Sequence, residues 1–360
     1  MEMTVTEVWI LGGTGRSGRA IATQLRNRGI RPVLVGRDAG RLAAAAEGDR
    51  TVVVVSVDAM AAEIRRQQPT VVINTVGPFT TTAPPLIRAC LPSSHYLDLA
   101  NDLSAVSTTL SVGEAAAAAG CTVVTGAGFG VTATESVVVK LCEGRPAPER
   151  VRVDMVPSVA SAEGVVGEAL AATILDGIPG VEGGGRFQGR SYRNGRLVPA
   201  AIGGDATRLT LPDGATVTTA AVPLGELMAA QRASGAPNVV SASSEAPSGP
   251  VVRAIMPLVM GLLAIGPVRE FGKRRLAAVA TKAKPMPREH SWGHAVLRWA
   301  DGTTREGWLR VGAAQDFTGA VPAEVAYRLL KGEGRPGAYT PAALFGPSLA
   351  EACGGEYRLA

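Results

Sequence analysis

Residues 12–18 read Gly-Gly-Thr-Gly-Arg-Ser-Gly, and Gly12, Gly15 and Gly18 fall at a spacing of three. A β-rich apolar run, Val5 to Leu11, leads into them, and a helical pattern, Arg16 to Arg28, leads out. Holding a pyrophosphate is the chemistry that needs such a stretch. The chain must turn tightly, the backbone must approach the anion with no Cβ between, and the helix must pack closely on the strand. The helix start then offers free N–H groups and a positive partial charge. Gly12, Gly13, Thr14, Gly15, Arg16, Ser17 and Gly18 are therefore read as a dinucleotide site rather than a bare tight turn.

The next strand pattern ends Val33-Leu34-Val35-Gly36-Arg37. An NAD site places Asp or Glu there to bind the ribose hydroxyls; this chain has Gly36, and Arg37 follows where it can pair with a 2′-phosphate. The reading is NADP(H) over NAD(H). Asp58, after a third strand pattern, is a candidate adenine contact or a helix cap. A fourth strand runs into Asn74-Thr75-Val76-Gly77-Pro78-Phe79, a break at the carboxyl end of a central strand, where open α/β sheets bind ligands. Thr75, Val76, Gly77 and Pro78 are assigned to the cofactor, and Phe79 to the nicotinamide or the core.

Reduction of a carbon also needs a proton source. His95, Tyr96, Asp98 and Asp102 sit at or beyond a fifth strand pattern, and Asp98 and Asp102 are the catalytic candidates. The structural alternative is that Asp98 caps a loop and Tyr96 is core. His290 and His294 flank Trp292 before a later strand pattern and could line a pocket. No nucleophile elbow supports Ser/His/Asp chemistry, and three histidines with no CxxC pair give no metal site.

These residues need elements to hold them. Over the first 140 residues strand patterns alternate with helical ones (Asp38 capping a helix, helices at Ala59–Gln67, Pro84–Leu91, Val112–Ala119 and Thr132–Glu143), which implies a parallel sheet with helices on both faces. Later, Asn194-Gly195, Asp213-Gly214 and Asp301-Gly302 signal hairpins. Residues 162–175 read as a helix, and Gly183–Gly189 and Ser241–Pro250 as loops. The fold class is α/β: a Rossmann-type doubly wound parallel sheet plus a second α+β domain with a mostly antiparallel or mixed sheet. The division is 1–145 for the dinucleotide-binding domain and 146–314 for a substrate or dimerisation domain. After Phe317 the chain reads as helical to its end, with helices of 315–360 returning to the first domain.

The 360 residues are 46% hydrophobic and 19% charged, a globular composition with room for about two domains. The net charge of +5 is local: Arg269 to Arg288 holds seven cations against Glu270 alone. Aromatic stacking surfaces and reading motifs are missing, so nucleic acid is not an expected partner. The fifteen residues Ala254 to Val268 carry no charge, too short a run to span a bilayer. With the basic run they read as a buried helix and solvated loop, or as an apolar-plus-basic surface for a membrane, an acidic carrier protein or coenzyme A. The start of the sequence lacks a secretory pattern and the four cysteines are far apart, so a cytoplasmic, reducing location is expected. A homodimer formed by sheet extension is compatible with the second domain.

Taken together, Gly12-Gly13-Thr14-Gly15 with Gly18, Gly36-Arg37, Asn74 to Phe79, Cys90, His95-Tyr96-Leu97-Asp98-Leu99, Gly126-Ala127-Gly128-Phe129-Gly130 and the late Tyr339-Thr340-Pro341-Ala342 with Gly346 resemble the saccharopine dehydrogenase-like NADP-binding oxidoreductases, which include saccharopine reductases and trans-acting enoyl reductases. The resemblance is specific over 5–140, moderate over 315–350 and faint between. It implies an NADP-dependent oxidoreductase with a Rossmann domain and a larger α/β domain. The chain departs from the family near the expected substrate. After Tyr-x-Asp-Leu the family has a small residue, Gly and Glu; here stand Ala100, Asn101 and Asp102. After Gly-Phe it has Asp, then Pro and Asp; here stand Gly130, Ala133 and Glu135. The family substrate is therefore not carried over. The expectation is reduction by NADPH of a C=N or C=C bond of a small metabolite, with secondary metabolism as the setting; the alternative is a protein that binds NADP(H) without hydride transfer, as a redox sensor or a non-redox enzyme.

Overall fold

The computed structural model describes the chain except residues 1–6, 92, 161–162, 167–170, 172–174, 176–188, 248, 250–254, 256–257, 260, 264 and 360. The first part alternates as expected: β1 (Val8–Leu11), α1 (Arg16–Asn27), β2 (Val33–Gly36), α2 (Ala39–Ala46), β3 (Thr51–Val53), α3 (Val57–Gln67), β4 (Val71–Asn74), α4 (Phe79–Cys90), β5 (His95–Asp98), α5 (Leu103–Leu110), α6 (Gly113–Ala118), β6 (Thr122–Val124) and α7 (Phe129–Cys142). Apolar spacing and caps account for most of it. α1 buries Gly18, Ile21, Ala22 and Leu25 on one face. Asp38 caps α2 by accepting from the Arg41 N–H, and Ser56 caps α3 by accepting from Ala59. β1, β2 and β4 are buried at every residue, as strands covered on both faces must be.

The second part contains β7 (Arg150–Val156), β8 (Gly164–Val165), β9 (Gly189–Arg193), β10 (Arg196–Ala200), β11 (Thr207–Thr210), β12 (Thr216–Ala221), α8 (Gly225–Ser234), β13 (Asn238–Ser243), α9 (Gly266–Ala277), β14 (Ala280–Thr281), β15 (Ser291–Arg298) and β16 (Thr304–Val311). The three hairpin signals sit between β9 and β10, β11 and β12, and β15 and β16. The chain ends with α10 (Ala314–Leu330), β17 (Gly337–Tyr339), α11 (Pro341–Phe345), α12 (Ser348–Ala352) and β18 (Glu356–Leu359).

Two sheets result. One holds seven strands, all parallel, in the order β17-β6-β5-β4-β1-β2-β3, so the strand order reverses between β1 and β4. The other is mixed: β10-β9-β13-β7-β15-β16-β18, with β12 joining β13 and β11 joining β12; only the β13–β7 pair is parallel. This is the α/β architecture the sequence implies. Helix α7 lies between the sheets and is buried almost throughout, with the polar Thr132, Thr134, Glu135 and Ser136 among its buried residues. It presses on β15 and β16 at Gly293, where a Cβ would stand 2.8 Å from the Ala133 carbonyl carbon, and at Gly307, close to Val137 and Leu141.

Several expectations are corrected. The end of the chain is not all helix: β17 extends the parallel sheet and β18 edges the mixed one. Ser241 to Ser243 belong to β13 rather than to a loop. α5 was not expected, and α4 starts at Phe79 with Pro84 and Pro85 inside it. The expected helix 162–175 and loop 183–189 lie largely outside the described residues.

Candidate functional site

The loop after β1 is shaped by its glycines. Gly12 has φ +79, and a Cβ on it would stand 2.6 Å from Thr75 Oγ1. A Cβ on Gly18 would stand 2.4 Å from the Gly12 carbonyl oxygen, so α1 lies directly on the loop. Gly12 and Gly13 donate to the Val35 carbonyl at 2.9 and 3.1 Å, tying the loop to β2. α1 begins on Gly15 with no side-chain cap and no acidic residue in its first turn. Its leading N–H groups and the positive end of its dipole, beside Thr14, Arg16 and Ser17, are thus left for an anion. The loop stands next to the β1/β4 reversal, where doubly wound sheets open a crevice.

Around this cradle the sequence-predicted residues take their places. Thr75 Oγ1 donates to the Leu11 carbonyl at 2.7 Å and fixes the end of β4 against β1. Val76 packs near Gly12, and Gly77-Pro78 leads into α4. Phe79 does not open on the cleft: it packs with Ala100, Ala105, Val106 and Leu110, because the first turn of α4 turns it inward. Arg37 stands exposed directly after β2, and no carboxylate pairs with it among the described residues. Asp58 is exposed in the first turn of α3, with the cap already supplied by Ser56.

The two carboxyls selected for catalysis are engaged in local structure. Asp98 is fully buried at the end of β5. Its Oδ1 accepts from Thr125 Oγ1 (2.8 Å) and from the Ala100 and Gly126 N–H groups, and its Oδ2 from Tyr96 Oη (3.1 Å). Burial pushes it up to about 6 against these donors. Asp102 caps α5, accepting from Ala105 N–H at 2.7 Å. His95 begins β5, at the end away from Asp98, and its Nδ1 accepts from Thr122 N–H. His294 is buried in the mixed sheet, stacked on Trp308, with its ring nitrogens 3.0 Å from Asp154 and Glu306. The site draws neither histidine in.

Between the sheets lies a cavity of about 230 Å³. Its wall runs from Leu99–Asn101 after β5 through Gly126 and Gly128–Val131 to Met155, Pro157 and Val159, and closes with Glu245, Ala314 and Thr318. Gln315, in the same turn of α10 as Ala314 and Thr318, donates to Ser17 Oγ at 3.5 Å, so the cavity and the glycine loop share one helix start. Thr318 Oγ1 accepts from Phe129 N–H at 3.1 Å. Asp98 and Asp102 are not among the lining residues; Glu245, at the solvent-reached rim, is the titratable one among those described. The protein packed around it holds its carboxyl above the usual range on balance, with Arg288 pulling the other way.

Glu226 is the group that sequence reasoning missed. It is buried in the first turn of α8, and a Cβ on Gly130 would stand 2.0 Å from its Oε1. The space beside Gly130 is therefore filled by a carboxyl from another element. In the amide orientation that satisfies both groups, Asn101 Nδ2 lies 3.1 Å from each Glu226 oxygen. Burial pushes Glu226 up to about 7. Glu135 on α7, likewise pushed to about 7, accepts from Thr340 Oγ1 and from Ala342 N–H and anchors the start of α11. Nothing in one sequence marks a Glu as buried, since the type is nearly always exposed.

Apo saccharopine dehydrogenase (L-Glu forming) from Saccharomyces cerevisiae superposes with a TM-score of 0.60 over 99% of this chain and 100% of that one, at 11% identity. The chain has the saccharopine dehydrogenase fold. An actinorhodin polyketide ketoreductase solved with NADPH matches 35% of this chain and 70% of its own, at 17% identity and TM-score 0.29. No family model and no curated protein sequence matches the chain.

Proposed function

We propose that this protein is a nicotinamide-dinucleotide oxidoreductase that prefers the 2′-phosphorylated cofactor and reduces a C=N or C=C bond of a small molecule. The observation that carries the reading is the loop in which Gly12 and Gly18 leave no room for a Cβ, joined to an uncapped helix start at the strand-order reversal. Gly12 to Gly18 would hold the pyrophosphate, Arg37 the 2′-phosphate, and Thr75 to Pro78 would border the ribose. Such a dinucleotide supplies a hydride to a carbon lodged beside it, or takes one. The chain's own part is to lodge that carbon. Apolar and backbone walls exclude water, Asn101 and Thr318 offer polar contacts, and Glu226 fixes Asn101. Glu245 is placed to hold or release a proton at the rim.

A second reading, NADP(H) binding without turnover, draws on the engagement of Asp98 and Asp102 in local hydrogen bonds. One experiment separates the two. The purified protein is titrated with NADPH and NADH, then NADPH absorbance is followed with a panel of imines, enones and ketones. Oxidation with an imine or enone supports the first reading, and binding without oxidation across the panel supports the second.

A further inference from the structure

Between β13 and β15 several of the described apolar side chains face outward, the wrong way for a water-facing surface. Among the described helical residues of this segment, Ile255, Leu258, Val259 and Leu262 are all exposed, and their spacing of three and four is that of one helical face. Such a stripe ordinarily faces a core. Here Leu258 is 69% exposed. The following helix, α9, has no buried residue, and its Phe271 is 60% exposed. The two helical pieces touch through Leu263 and Gly272, which leaves the outward stripe uncovered. Exposed cations share this ground: Arg274, Arg275, Lys282 and Lys284, with the Arg275 guanidinium 5.2 Å from the centre of the Phe271 ring.

We propose that the exposed apolar side chains at 255, 258, 259, 262 and 271, with the cations at 274, 275, 282 and 284, dock the protein on an anionic lipid surface. Projecting apolar side chains flanked by cations suit the boundary between acyl chains and acidic headgroups, where the first enter and the second stay with the headgroups. Charge decides against a second copy of the chain. A two-fold contact through this face would set Arg274, Arg275, Lys282 and Lys284 against themselves. An acidic protein would answer the cations, but a ridge of side chains this exposed needs an apolar medium to receive it. No helix among the described residues is long and apolar enough to cross a membrane, so the contact is interfacial.

The test is flotation of the full chain with phosphatidylcholine vesicles and with vesicles containing about one-third phosphatidylglycerol. The protein floats with the anionic vesicles, and roughly tenfold less with the neutral ones or at high salt. The Leu258→Asp/Leu262→Asp/Phe271→Asp variant loses roughly tenfold in partition while keeping its far-UV dichroism and Tm, since about half or more of each of these side chains is already in water. Lys282→Glu/Lys284→Glu weakens only the anionic preference. Absence of flotation overturns the proposal, as does undiminished flotation of the triple variant. So does a wild-type dimer that the triple variant splits without any vesicle binding, or binding of polyglutamate with none to vesicles.

Discussion

Glu226 and Glu135 are carboxyls placed where water does not reach, and both are pushed up to about 7. The folded state therefore binds more protons than the unfolded chain between the usual carboxylate range and about pH 7. Their contribution to stability is fully present below the unfolded pKa and is lost as pH rises through the folded one. Glu226→Gln, which stays neutral, should gain on the wild type by about 2–3 kcal/mol between pH 5 and pH 8. Urea melts of both proteins across that range measure it, and a difference independent of pH would show that Glu226 is not held neutral by burial. On the proposed reading, Arg37 carries the cofactor preference. Arg37→Ala should weaken NADPH binding by about tenfold or more and leave NADH nearly unchanged, because a charge-assisted bond to phosphate contributes about 1.5–3 kcal/mol. Equal losses would show that Arg37 does not read the 2′-phosphate. The tight glycine loop and the place of Arg37 directly after β2 were legible in the sequence, since both depend on neighbours in the chain. Glu226 was illegible because its partners, Asn101 and Gly130, lie far away in sequence.

At the scale of elements, the crossing of α1 with its neighbours is what shapes the loop. Gly319 on α10 lies so close to α1 that a Cβ would stand 2.9 Å from the Ala20 Cβ. Gly319→Val should push the helices apart, costing about 1–3 kcal/mol, and should also weaken dinucleotide binding because Gln315 and Thr318 sit on the same helix. Denaturant melts and cofactor titration on one sample check both; a loss of stability with cofactor binding unchanged would mean that α10 does not position the loop. Strands β1 to β6 and most of the helices between them followed from apolar runs and caps. α5 was hidden because its cap, Asp102, looked like a catalytic group, and eight residues of Leu, Ser, Ala, Val and Thr carry little helical signal. β17 and β18 are three and four residues long and pair with strands far away in sequence, so short-range pattern could not place them. The exposed stripe at 255–262 had the spacing of a buried helix; spacing tells which residues share a face, not what covers it.

For the molecule as a whole, one apolar core runs from β1 and α1 through α7 to β7, β15 and β16. The two sheets share that helix, and the chain's end gives a strand to each. Thermal unfolding should therefore be a single transition with calorimetric and van't Hoff enthalpies in agreement, and two resolved transitions would mean that the sheets melt separately. The same shared core keeps the cavity at Asn101 and Gly130 in register with the glycine loop, which the proposed chemistry requires. The most direct test of the central claim is isothermal titration of the folded protein with NADPH and NADP⁺, repeated on Gly12→Val. The account predicts saturable one-site binding that the variant loses, since its side chain would occupy the space now closed by Thr75. No heat with either dinucleotide, or equal binding by the variant, would contradict it.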